Sequence, residues 1–396
     1  MTKKLNSIAF ILIILTAIST ASIAIENRSS PRHSSSSDNT VHPTTENIPD
    51  DDEVVDLIKK NERSKDLEGE VEGLRNAKEI LIIGVKEGES DEIIGKVEDV
   101  KAAPEGYIYL LDSRYNEVRV YNPFGDLVQT FGKPGRGPDE LMAPTTLMES
   151  DRGDVIVADG ARQVKVFDRD RSSFKHRKTI RLGVGLDDMC LNNQNELFVF
   201  GYDERKTIHS FSLADEEYSF DKVESFGTYY RDDDELVRSN MSIGLIGCGQ
   251  DGIVYTLKFL PVLYGHMRNG EGAWKTKLSD FSTIKATEVT VGGRKGLRFE
   301  TGDVGYHDTV VSLTTIPGGR VIFQTARQTT QSIKEGREYA ELFTYVIDIQ
   351  TGQGAYVGNH LPPIYDATSK KLYTGVNAPF PQVKIYQYAY AGGSAE

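Results

Sequence analysis

The chain has 396 residues, a net charge of −13, 38% hydrophobic residues and 27% charged residues, an ordinary balance for a folded globular protein. An acidic surface repels nucleic-acid phosphates and anionic lipid headgroups, and no long Lys/Arg run offsets it, so no nucleic-acid partner is expected. Two cysteines, Cys190 and Cys248, are too few for a disulfide framework or a zinc cluster.

The chain opens on an export pattern. Lys3 and Lys4 precede an apolar run at 8–15, and small residues lead to Ser22-Ile23-Ala24, which suits a cleavage site. Residues 1–24 are read as a signal peptide. The alternative is an uncleaved anchor, because the apolar stretch extends to Ile25 and approaches the about 18–20 residues of a span. No Cys stands there for a lipoprotein anchor. Either way the body is expected outside the cytoplasm, secreted or periplasmic, touching membrane only through such an anchor.

Residues 25–77 form a linker. Its first part, 27–47, is rich in Ser, Thr, Pro and Asn and buries too little to offset the entropy of ordering, so it is expected to be disordered. The charged stretch 50–75, with scattered Val and Leu, suits either a short surface helix or continued disorder.

From residue 78 the texture becomes that of strands. Apolar runs at 80–83 and 97–103 come first. A two-strand unit then recurs: 105–112 with 118–121, 152–159 with 164–168, 196–200 with 208–212, 252–256 with 263–266, 319–323 with 342–348, and 371–375 with 383–388. The first two copies end their first strand on Asp (Asp112, Asp159) and their second on or beside an aromatic (Tyr121, Phe167). Period-2 alternation broken by Gly, Asp and Pro turns favours strands over helices. Six copies at roughly 42 to 68 residues fit four-stranded propeller blades. The reading is all-β: a six-bladed β-propeller over 78–396, closed by an N-terminal strand and preceded by a disordered tether. Too little chain follows Tyr390 for a last outer strand, while 79–85 has no blade of its own. Donating it to blade 6 removes open edges. Five or seven blades are the alternatives. Cys190 and Cys248 fall at the ends of neighbouring inner strands, where they either pair or stay as buried thiols.

The run Phe131-Gly132-Lys133-Pro134-Gly135-Arg136-Gly137-Pro138-Asp139-Glu140-Leu141-Met142-Ala143-Pro144, followed by Val155-Ile156-Val157-Ala158-Asp159 and Phe167, resembles the blade crossover of NHL-repeat six-bladed propellers found among bacterial exported proteins. Two blades carry this pattern clearly and four in outline. The family commonly places Asn then Arg before the second strand; here Asn116 precedes Glu117, and the second copy has Arg162-Gln163. Different polar contacts between blades are expected there. Some NHL-type propellers are lyases or lactonases holding a divalent metal in the channel.

Ligands usually meet a propeller on the face carrying the connections between blades and those between second and third strands. This face is expected to gather Arg114, Tyr115, Arg136, Arg162, Tyr202, Asn240, Tyr306, His307, Asp308 and Arg327. Arg supplies forked donors and Tyr rigid contact area, so the mouth suits an anion or a peptide. The plainer reading of each is a solvated loop side chain. His307-Asp308 suggests a base or metal ligand, but strand neighbours point to opposite faces. Two of the propeller's five histidines, His209 and His266, fall away from the axis, so a three-His zinc site is not expected. Calcium held by Asp187 or Asp188 with Asn240 and Asp308 is the one conceivable cofactor. The acid runs 50–53 and 232–235 lack calcium-loop spacing, and the Gly132 loop lacks the Lys-Ser/Thr of a phosphate-binding loop. No catalytic residue is named. The expected function is a monomeric, non-enzymatic binding module for a protein, peptide or glycan; the rival is a metal-dependent lyase or hydrolase working in the channel.

Overall fold

The computed structural model describes residues 56–58 and 65–389, apart from 171–172, 214–217, 219, 251, 268–272 and 302–303. The expected signal or anchor and most of the linker lie outside the described residues. Six antiparallel four-stranded sheets stand as blades around one axis. Their inner strands are Val97–Ala102, Pro144–Glu149, Asp188–Leu191, Gly244–Cys248, Tyr306–Ile316 and Ile364–Ala367. Each lies against the next, and the last lies against the first.

Each copy read from the sequence is the second and third strand of a blade. Ile108–Asp112 and Val155–Asp159 are buried at every position, because both faces of a middle strand are covered by neighbouring blades and an unbroken apolar run results. The core is correspondingly six wedges, one per junction. Tyr109, Val118 and Leu147 fill the wedge between blades 1 and 2. Val254, Phe323 and Ile347 fill that between 4 and 5. Ile83, Val97, Leu110 and Val383 fill the closing one.

Closure is made by Lys78–Ile83, which pairs antiparallel with Gln382–Gln387 as the outer strand of blade 6. The body also extends further towards the N-terminus than residue 78. Helix Glu68–Arg75 lies over blades 5 and 6, burying Leu67, Val71 and Leu74 against Val346, Val357 and Leu372. These three recur at helical spacing, and burying each contributes about 2 kcal/mol. Arg75 donates to the Val357 carbonyl (2.7 Å) and Arg320 pairs with Glu70 (3.1 Å). Upstream, Asp56–Ile58 adds a parallel strand to the outer edge of blade 4.

Blade 4 is followed by an extra hairpin, Ile284–Val291 with Arg294–Thr301. This insertion explains the longest interval between sequence copies. Cys190 and Cys248 form a disulfide joining the inner strands of blades 3 and 4, Cα atoms 5.5 Å apart.

Candidate binding face

Antiparallel strands send alternate connections to opposite ends of a blade. One face therefore carries the second-to-third-strand turns and the crossovers between blades; the other carries the remaining turns. On the first face the crossovers into blades 1 and 2 are each held from beneath by a buried carboxylate. Asp159 Oδ1 accepts the amides of Met142 (2.7 Å) and Ala143 (2.9 Å), its Oδ2 accepts Gln163 Nε2 (3.2 Å), and Lys165 Nζ stands 3.7 Å away. Lys165 in turn donates to the carbonyls of Gly137 (2.7 Å) and Glu140. Blade 1 repeats the device: Asp112 accepts the amides of Gly95 (2.7 Å) and Lys96 (3.0 Å), with Arg119 at 3.8 Å donating to the Ile93 carbonyl.

The glycines of the crossover motif follow from this packing. Gly132 has φ +79°, and a Cβ on Gly135 would lie 2.0 Å from the Glu140 carboxylate. That carboxylate accepts the Gly137 amide at 2.7 Å, which with Lys133 holds its pKa below the usual range. Beside these carboxylates, Glu117 pairs with Arg119 (2.7 Å) and Gln163 serves Asp159, each within one blade.

At the axis, polar residues latch inner strand to inner strand. Asp99 accepts Thr146 Oγ1 (2.8 Å) and the Leu147 amide (2.9 Å); Asp188 accepts the Ile246 amide (3.0 Å); Asp366 accepts the Ala102 amide (2.8 Å). Lys101 stands among these three carboxylates, 3.4 Å from Asp99, and they raise its pKa against the opposing effect of burial. Burial pushes Asp187 and Asp188 up to about 6.

All ten residues expected from the sequence stand on the first face or at strand ends leading to it. They do not share one environment. Arg114, Tyr115, Arg136 and Arg162 are exposed on the turns and crossover of blades 1 and 2. Tyr115 lies against Arg119, 5.4 Å from ring centre to guanidinium, and Arg162 reaches the Gly183 carbonyl at 3.4 Å. The rest are built into the scaffold. Tyr202 Oη accepts from Arg238 Nε (3.0 Å), and Asn240, on helix Glu235–Met241, donates to the Leu236 carbonyl (2.8 Å). Arg327 grips Asp308 with two bonds (2.8 and 3.0 Å) and covers the Tyr306 ring at 4.0 Å. Asp308 also accepts the Ser282 amide at 2.8 Å.

His307 is 5% exposed, and burial pushes its imidazole down while Asp308 opposes the shift. The strand has begun by Tyr306, so His307 and Asp308 project to opposite sides. Among the described residues no group of three or more His, Cys, Asp or Glu is arranged to hold a metal ion.

The sequence reading missed a cleft on this face at the closing seam, lined by Gly95, Lys96, Ser113, Arg114, Asn377 and Pro381. Its walls come from the two ends of the chain, so no local motif reports them. Opposite, Phe124 is 82% exposed and Ile80 47% exposed beside a smaller apolar cleft of about 290 Å³.

Comparisons with known proteins agree with this architecture. A Bacteroides fragilis protein that is named as exported superposes with a TM-score of 0.50 at 8% identity, over 85% of this chain and 99% of that one. A DUF4221 member from Bacteroides vulgatus gives 0.48 at 8% identity, over 79% and 97%. Virginiamycin B lyase from Staphylococcus aureus gives 0.43 at 10%, over 78% and 98%. At 8% identity the Bacteroides fragilis likeness shows fold and nothing of activity. No curated protein matches the sequence. Residues 87–282 match the family model DUF5128, a six-bladed β-propeller family, and the described residues complete its six blades.

Proposed function

We propose that the chain is an exported, non-enzymatic propeller that presents the crossover face to a protein, peptide or glycan. One observation carries this reading. Helix Glu235–Met241, hairpin Ile284–Thr301 and helix Thr330–Lys334 are the α-helical and hairpin insertions between or within blades among the described residues, and all three belong to connections of that face. Insertions that leave a scaffold intact collect where binding surfaces are elaborated. The channel acids Asp99, Asp188 and Asp366 are engaged as latches between blades, which supports binding over channel chemistry. Export rests on the N-terminal apolar run, and the Bacteroides fragilis protein is itself named as exported. Kinship with NHL repeats rests on the Gly132–Pro144 crossover motif.

The test is a glycan and peptide array probed with the full chain and two variants. Arg114→Ala with Tyr115→Ala on the crossover face should abolish the bound set; Phe124→Ser on the opposite face should preserve it. Loss with Phe124→Ser alone would overturn the reading, as would turnover of any bound compound.

A further inference from the structure

We propose that the cleft at the closing seam binds a carboxylate-bearing ligand, with Arg114 as its main anchor; this rests on the crossover face being the binding face. The cleft holds about 550 Å³ of open space. On a chain of net charge −13, its lining offers two cations, a hydroxyl and an amide, and no carboxylate. The lining thus inverts the sign of the chain's net charge.

The donors of the lining differ in what they have left to give. The amides of Gly95 and Lys96 turn inward to Asp112, so the cleft presents no cradle of backbone N–H groups of the kind that holds phosphate. Asn377 is tied to the Val97 backbone through both its oxygen (2.8 Å) and its nitrogen (3.1 Å). The Lys96 ammonium is paired with Glu98, which also accepts Ser113 Oγ at 2.7 Å. Arg114 is different. It is exposed, and among the described residues no carboxylate pairs with it, whereas Arg119, Arg238, Arg320 and Arg327 all have acidic partners.

The free capacity is therefore one planar guanidinium fork beside an ammonium already half neutralised. A single carboxylate accepts two parallel bonds from such a fork, while a phosphate dianion would meet Glu98 behind Lys96. Gly95 keeps the floor open: a Cβ there would lie 2.8 Å from both Arg114 Cβ and Tyr115 Cε2. The exposed Tyr115 ring gives the ligand an apolar flank next to the anchor.

The experiment is phenylglyoxal footprinting of the full chain, read residue by residue by mass spectrometry. The probes are digalacturonate and N-acetyl-glutamyl-glutamate, with their methyl esters and inorganic phosphate beside them. At least one free carboxylate should slow modification of Arg114 about fivefold, the protection that four-fifths occupancy gives. Its ester and phosphate should not, and Arg136 and Arg294 should be unaffected. The identity of the protecting probe tells sugar from peptide. Protection of Arg114 no greater than that of Arg136, or equal protection by phosphate, overturns the proposal. Arg114→Gln should lose binding of the protecting probe without moving the melting temperature. A ligand retained on the crossover face with Arg114 indifferent would remove this proposal and leave the wider reading standing.

Discussion

Asp159→Asn removes one charge and changes almost no volume, so its cost isolates the electrostatics of a blade crossover. The carboxylate is fully buried and serves the amides of Met142 and Ala143, Gln163, and the Lys165 ammonium 3.7 Å away. An amide in its place leaves the 2% exposed Lys165 with carbonyl partners only. It also turns an NH2 towards groups that are themselves donors. Breaking a buried pair from one side costs about 3–5 kcal/mol. Lys165→Met removes the other charge but leaves Asp159 its three neutral donors, so it should cost about 2 kcal/mol. The double variant should cost less than the sum, because the stranded charge is gone, with a coupling of about 2 kcal/mol. Urea unfolding of the four proteins measures the cycle. Asp159→Asn within about 1 kcal/mol of the parent, or additivity within about 0.5 kcal/mol, would refute the claim that this pair holds the crossover.

Three further outcomes follow from the same structure. Replacing both Cys190 and Cys248 by Ser opens a link spanning 58 residues of sequence; on loop entropy this should cost about 4 kcal/mol in denaturant unfolding. Leu74→Ala, at a site fully buried beneath the N-terminal helix, should cost about 2–4 kcal/mol, and a cost near zero would mean that the helix does not pack on the blades. Asp187 is raised to about 6 in the fold, above its ordinary 3.8, so its contribution to stability is present below about pH 4 and is lost as pH rises through 6. Asp187→Asn should therefore raise stability at pH 8 by about 1 kcal/mol, allowing for the partial exposure of Asp187, and leave it unchanged at pH 4; melting curves at the two pH values decide it.

The blade repeat was legible because middle strands are buried on both faces. Ile108–Asp112 and Val155–Asp159 could only read as apolar runs ending on Asp. Of their partners nearest the axis, the run at 97–103 read as a strand, though without a regular alternation. Val97–Ala102 carries Glu98, Asp99 and Lys101, and its pairing slips by one residue between Val97 and Asp99, so alternation is lost where the strand meets the channel. The pairing of Cys190 with Cys248 likewise depended on which strands turn inward. Leu67, Val71 and Leu74 gave a weak helical signal inside a charged stretch, and only the apolar outer edges of blades 5 and 6 give it a place to bury. On the crossover face, residue type did not report availability. Asp308 and Arg327 satisfy each other across two strands of one blade, 19 positions apart, and Asn240 serves its own helix. Arg114 has no acidic partner among the described residues, and Asp112, which accepts the Arg114 backbone amide, is occupied by further backbone amides and Arg119.

The ring is closed by Lys78–Ile83. Ile82 is the register partner of Lys384 on the third strand of blade 6, and side chains directly opposite in an antiparallel pair lie about 4.5–5.5 Å apart at Cβ. Ile82→Cys with Lys384→Cys, oxidised in the monomer and mapped by non-reducing peptide mass spectrometry, tests that neighbourhood directly. Closure predicts an intramolecular 82–384 disulfide beside the native 190–248 link, on a chain that keeps its parent's melting behaviour. Free thiols at 82 and 384, or bonds only between molecules, would contradict it.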